Sequence, residues 1–313
     1  MATFEEKLIK AVVRKRELEG LSIRGLAAAV GISFSTLARI ERGDGQPDNN
    51  SKIRLLEWLG SDAEQAGLTF DNVAFVHFRA GKNIQSTTVK SLLKAADCLR
   101  TALSNAAPAT TPSEPDEASG PAAVSLSKDE LEQTAEKFRS DLGLKPDQAL
   151  DSLRLQVEGV TVVRIGQTDC IAADVAKRLG GSAAGEWSAM SVPLDAEHES
   201  WAVLLNDRHN LERQRVTILE EFWHILLGHK LTKIARIAEA YGRTYDKTEE
   251  HDAYYLASAT LLPKAAIRKA VSQKLSSVDV AAKFGTSSEL VEYRIKRLGL
   301  WREHISKGVT LAP

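Results

Sequence analysis

The sequence predicts two folded parts of different class. One is a mainly α N-terminal helix-turn-helix domain with accessory helices, residues 1–104; the other is an α+β C-terminal domain with a small sheet, residues 127–313. Three observations carry this. Two short helical patterns meet at Gly31, each opened by a serine, and the second is closed by Gly43. Runs rich in β-branched and aromatic residues at 159–165, 187–192 and 200–206 lie among helical patterns, as in an α+β fold. Between the two parts, residues 105–126 hold four prolines among small and acidic residues. That composition cannot bury a core and reads as a linker.

At 313 residues and 43% hydrophobic content, the chain has enough apolar material for two cores. The net charge of -1 argues against a general polyanion binder. Residues 1–100 carry fifteen Lys and Arg against twelve Asp and Glu, so any DNA affinity must come from a local patch. The two cysteines, Cys98 and Cys170, fit a reducing compartment. They exclude a disulfide framework and a cysteine-rich zinc site. No apolar run approaches a membrane span, and the first residues lack signal-peptide character, so a cytoplasmic location is expected.

Taken in order, residues 4–19 form an amphipathic pattern with Phe4, Leu8, Ala11, Val12 and Leu18 on one side, closed by Gly20. Ser22 opens a helix to Val30, and Ser33 opens the next, to Arg42. The second helix presents Ser33, Ser35, Thr36 and Arg39, short donors and one long fork suited to a major groove. Residues 51–60 add a helix, and residues 73–79 read as a short extended run or turn. Residues 86–103 show one apolar helical face (Val89, Leu92, Leu93, Ala96, Leu99). It serves either to complete the N-terminal core or as a dimer contact.

Ala27, Gly31, Ile32, Ser33, Ile40, Glu41, Arg42 and Gly43, followed by Pro47, resemble the helix-turn-helix of the lambda repressor/Cro (XRE) family. Against a plain helical bundle, this resemblance implies a double-stranded DNA operator and a homodimer reading paired half-sites. DNA-contacting residues would be Arg24, Ser33, Phe34, Ser35, Thr36 and Arg39. One departure is Ile23, where the family often has Gln; the phosphate contact then falls to Arg24.

In the C-terminal part, residues 128–142 and 149–157 read as helices, 241–246 as a polar turn and 247–263 as a further helix. The central stretch is 217–229, where Ile218, Leu219, Phe222, Trp223, Leu226 and Leu227 make a broad apolar band. Glu220, Glu221 and His224 do not belong in a plain core. Glu220 and His224 are four apart and share a helix face. This is the spacing of an H-E-x-x-H metal helix with Glu in the first position. Carboxylates buried there need a cation, a basic partner or raised pKa values. Glu249, Glu250 and Asp252 each read as helix-start acids, and as a set they are candidates for a third ligand.

Residues 127–300 resemble the ImmA/IrrE peptidase family, through Leu204 to Asn206, Arg213 to Thr217, the Leu226-Leu227-Gly228-His229 tail, Ala253 with Leu261 to Pro263, and the helix-Gly-helix of 277–300. The resemblance implies Glu221 as general base, with Glu220, His224 and Asp252 as metal ligands. Glu220 replaces the family's first histidine. One nitrogen and two carboxylates would hold Zn less specifically and favour a harder metal such as Mn. The implied role is relief of repression, by cleaving a protein substrate or partner repressor or by sensing a signal. A catalytically degenerate sensor or interaction domain is the alternative. His209, His229 and His251 read as residues with no ligand role.

Overall fold

The computed structural model describes residues 3–60, 62–66, 68, 71–80, 84–104, 126–195, 198–229, 232–237, 240–243 and 247–307. In chain order the first elements are α1 (Phe4–Leu18), α2 (Ile23–Val30), α3 (Phe34–Arg42), α4 (Asn49–Leu59), the one-turn α5 (Asp62–Gln65), β1 (Asp71–Ala80) and α6 (Ser86–Leu103). Next come α7 (Lys128–Asp141), β2 (Val160–Arg164), α8 (Ala173–Leu179), β3 (Trp187–Pro193), β4 (Trp201–Leu205) and α9 (Leu211–Leu226). Strands β5 (Thr232–Ile237) and β6 (Ala240–Arg243) precede α10 (Lys247–Leu261), α11 (Lys264–Ser272), α12 (Ser277–Phe284), α13 (Ser288–Arg297) and α14 (Trp301–His304).

The chain forms two compact units. One joins Met1–Pro112, Thr161–Leu204 and Lys230–Asp246; the other joins Ser113–Val160, Leu205–His229 and Lys247–Pro313. This grouping cuts across the 1–104 and 127–313 boundaries expected above, because strand β1 enters a sheet with strands from beyond residue 160. The strand order is β2-β4-β3-β1-β5-β6. Strand β1 runs antiparallel to β3, with His77 opposite Ser191, and antiparallel to β5, with Ala74 opposite Ile234. The expected small sheet thus has six strands where three were read from the sequence.

The helix-turn-helix region of the first unit has its own apolar cluster: Leu8 and Val12 of α1, Leu26 and Val30 of α2, Leu37 of α3, and Leu55 and Leu59 of α4. Local signals set the helix starts. Thr3 and Glu6 form a reciprocal capping box on α1, and the Asp48 carboxylate accepts from the Ser51 amide to start α4. Strands β3 and β4 are buried along their whole length, which explains the unbroken apolar run of β4; β3 also buries Ser188 and Ser191. Helix α6 lays Val89, Leu92, Ala96 and Leu99 into one cluster with Trp187, Met190, Val192 and Leu204. Its apolar face is therefore covered by strand residues of the sheet, where the sequence left open completion of the N-terminal core or a dimer contact.

The second unit is helical. Helices α7, α9, α10, α11, α12 and α13 contribute Leu131, Leu219, Trp223, Leu256, Ile267, Val280 and Val291 to one cluster. A buried polar triad sits among them. Arg294 Nη1 and Nη2 donate to the two Glu132 carboxylate oxygens at 2.8 and 3.0 Å, and the Tyr255 hydroxyl donates to Glu132 at 2.6 Å. Burial, then the bond to Glu132, pushes the Tyr255 phenol up to about 12.

The helix expected at 149–157 is only a 3-10 turn, Ser152–Arg154. Tertiary bonds hold this segment: the Ser152 hydroxyl donates to the Arg215 carbonyl at 2.8 Å, and Asp151 pairs with the Arg215 guanidinium. The turn expected at 241–246 is strand β6 as far as Arg243; residues 244–246 lie outside the described residues, as does the linker apart from Leu126. In the C-terminal helix-Gly-helix, Gly285 is left-handed (φ +63), a conformation that favours glycine, and a Cβ there would also push on the Arg215 guanidinium that donates to its carbonyl.

Candidate nucleic-acid interface and candidate metal centre

The helix-turn-helix is built by caps. The Ser22 hydroxyl accepts from the Gly25 amide at 3.0 Å to start α2. Gly31 ends it with φ +68, a left-handed conformation that glycine adopts without strain. Ile32 is buried and anchors the turn. The Ser33 hydroxyl then accepts from the Thr36 amide at 3.1 Å and lies 2.7 Å from the Thr36 hydroxyl and 3.1 Å from that of Ser35. Ser33 and Thr36 are thus committed to starting α3. Phe34, Ser35 and Arg39 are exposed on the same helix. Arg24, on α2, holds its guanidinium 5.1 Å from the centre of the exposed Phe34 ring. Among the described residues Arg39 pairs with no carboxylate.

The orientation of α3 is fixed from behind by Arg16 of α1. Its Nε and Nη2 donate to the Glu41 carboxylate at 2.8 and 2.9 Å, and its Nη1 donates to the Leu21 carbonyl at 3.1 Å. Both side chains are largely buried, so this bidentate pair is little screened. Of the six sequence-nominated DNA residues, Ser33 to Thr36 form the start of α3, Arg39 is in its last turn, and Arg24 reaches Phe34 from α2. Two of them are capping residues first. Arg16 and Glu41, which aim the helix, were not nominated.

In the second unit, Glu220, Glu221 and His224 of α9 are 3%, 1% and 4% exposed, and Glu249 and Asp252 of α10 are 7% and 5% exposed. Helix α9 starts at Asn210, whose side chain accepts from the Arg213 amide. It ends in a Schellman motif: the Gly228 amide donates to the Ile225 carbonyl at 3.1 Å and the His229 amide to the His224 carbonyl at 3.0 Å, with Gly228 at φ +61. That motif folds the chain back so that the side chains of His224 and His229 meet. Their Nδ1 atoms are 3.0 Å apart and the rings are edge-on. His224 Nε2 lies 3.8 Å from a Glu250 oxygen. Asp252 receives the Leu126 amide at 3.4 Å. His251, on the exposed side of α10, contacts Arg297.

Residues 13–60 match the helix-turn-helix family model, and residues 188–296 match the peptidase M78 model, described as the IrrE N-terminal-like domain. The chain thus combines a DNA-binding type of domain with a peptidase-like one. This is the XRE-type and ImmA/IrrE-type fusion that the sequence resemblances implied. No curated protein and no solved structure matches the chain.

The peptidase-like family implies a metal, and the donors can be tested against it. Of the expected set, Glu220, His224 and Asp252 are all buried, and His224 lies against His229 and near Glu250. Among the described residues no three His, Cys, Asp or Glu side chains converge to hold an ion. Glu220, His224 and Asp252 would be the residues to hold the ion, with Glu221 beside them on α9, and no hydrolytic step follows from this arrangement. His229 is the residue that sequence reasoning set aside. A His-x-x-x-Gly-His spacing at a helix end was the available signal.

Proposed function

We propose that the protein is a cytoplasmic transcriptional regulator, a repressor that binds operator DNA as a homodimer, and that its peptidase-like domain relieves repression by sensing a signal. The observation that carries the reading is helix α3: Phe34 and Ser35 in its first turn and Arg39 in its last are exposed, and the helix is tied to α1 by the Arg16–Glu41 pair. A dimer supplies two such helices for half-sites about 34 Å apart. In keeping with a cytoplasmic location, no single helix among the described residues is long and apolar enough to cross a membrane.

Arg39→Ala tests the reading. A bidentate base contact is worth about 1–3 kcal/mol, roughly a five- to 150-fold loss of affinity. A gel shift on the DNA upstream of the gene should register it at fixed salt. Equal affinity of wild type and variant would remove α3 from the interface.

Glu220 favours sensing over cleavage. Imidazole is neutral and leaves a bound zinc its full charge, which acidifies the metal's water. A carboxylate in that position lowers the net charge of the centre and makes the water a poorer acid. We expect little cleavage of the protein itself or of partner repressors by wild type with zinc or manganese, and more by Glu220→His. Robust cleavage by wild type that is lost in Glu221→Gln would establish proteolysis instead.

A further inference from the structure

We propose that the outward face of α1 is a self-association surface whose occupant is α1 of a second copy, packed antiparallel about a two-fold axis beside Val13 and Arg14. Helix α1 turns Leu8, Ala11 and Val12 into the helix-turn-helix core. Its other side carries Lys10, Val13, Arg14, Glu17 and Leu18, which line one open groove. None of these five belongs to the apolar cluster behind the helix. Lys10, Val13 and Glu17 follow at spacings of three and four residues, so they form a single stripe. Leu18 is 78% exposed, the most of any large apolar side chain among the described residues.

The charges select both the partner and its direction. Among the described residues no carboxylate pairs with Lys10 or Arg14. The Glu17 side chain is 65% exposed; its ion-pair contact is to Arg16 at 3.6 Å, and the Arg16 fork already holds Glu41. Two copies of α1 laid parallel would set Lys10 against Lys10 and Glu17 against Glu17. Antiparallel packing centred between Val13 and Arg14 puts each Lys10 level with the Glu17 of the other copy, because the two lie equally far from that centre. It also brings the two Val13 side chains together and opposes the two helix dipoles. Arg14, on the flank, is one turn from the other copy's Glu17 and within reach of it.

The contact is isologous: the same patch on both copies, with the Lys10–Glu17 pair made twice. One helix per copy covers less than the roughly 1,200 Å² of a stable complex, so the dimer is weak in free solution and is reinforced when two copies occupy one operator. This surface supplies the pairing that the homodimer reading requires, and it rests on that reading for its role on DNA.

Sedimentation equilibrium of the full chain without DNA is the test. Wild type is expected to show a concentration-dependent monomer–dimer equilibrium. Lys10→Glu places acid against acid twice per dimer, and Glu17→Lys places base against base twice. Each should weaken association at least about fivefold, with unchanged circular dichroism. Mixing the two variants restores both pairs, so two proteins that pair poorly alone should form a heterodimer about as tight as the wild-type dimer. Wild type that stays monomeric throughout, association unaltered by either reversal, or a mixture no tighter than its components would overturn the proposal. Arg39→Ala should dimerise as wild type does. Lost dimerisation with an intact gel shift thus counts against the α1 surface, and a failed gel shift with intact dimerisation counts against the DNA reading.

Discussion

Glu132→Ala is expected to destabilise the helical unit by about 3–5 kcal/mol, because it leaves the fully buried Arg294 guanidinium without its counter-charge. Arg294 would keep one bond, from Nε to the Leu262 carbonyl at 3.1 Å. The Tyr255 hydroxyl would lose its acceptor as well. Denaturant unfolding of the full chain, followed by a probe of the second unit, measures the loss. Removing both charges with apolar residues of similar volume should recover much of it, since the uncompensated charge is the larger part of the penalty. The same pair sets an acid limit. Burial alone would raise the Glu132 carboxyl, but the bonds and charge of Arg294, with the Tyr255 hydroxyl and the Lys264 charge, together hold it below its ordinary value. A carboxyl lowered in the folded state contributes stability above its unfolded value of 4.5, and that contribution is lost as pH falls below it through the folded value. Glu132→Gln should flatten the acid limb of the stability profile. An unchanged limb would assign it to other carboxylates.

Arg16→Ala is expected to cost the helix-turn-helix about 2–3 kcal/mol and, with it, most specific DNA binding. The substitution strands Glu41, whose side chain is 7% exposed, and frees the Leu21 carbonyl at the turn between α1 and α2. Helix α3 then loses the tie that aims its exposed end, although no DNA-facing residue has changed. Arg16→Lys keeps the charge but not the planar fork, so it should restore less than half the stability. Thermal unfolding and gel shifts on the same preparations separate the two effects. A variant that melts earlier yet binds DNA normally when folded would show that the pair stabilises the helix without orienting it.

Much of this was legible because the signals are local. Ser22, Gly31, Ser33 and Gly43 bracket α2 and α3 in the sequence and do so in the structure. Burial of Glu220, Glu221 and His224 follows from the apolar band around them. What the sequence could not convey was partnership. The apolar face of α6 was evident, but periodicity says that a face is buried, not against what; its partners Trp187 and Met190 lie about a hundred residues on. Strand β1 was legible only as a short extended run or turn at 73–79, since its neighbours β3 and β5 are distant in sequence. The 149–157 segment has leucines at helical spacing, yet its bonds go to Arg215, and tertiary contacts replaced the helix. The pairing of His224 with His229 is the opposite case. It is a local consequence of Gly228 and was readable from the sequence.

Selection of binding sites from a random duplex library by the full-length chain tests the central claim most directly. The account predicts one enriched palindromic motif with half-sites about one helical turn apart, lost in Arg39→Ala, with specific binding at least roughly a thousandfold tighter than to random duplex at the same salt. A library that emerges without an enriched motif, or a motif enriched equally by Arg39→Ala, would contradict it.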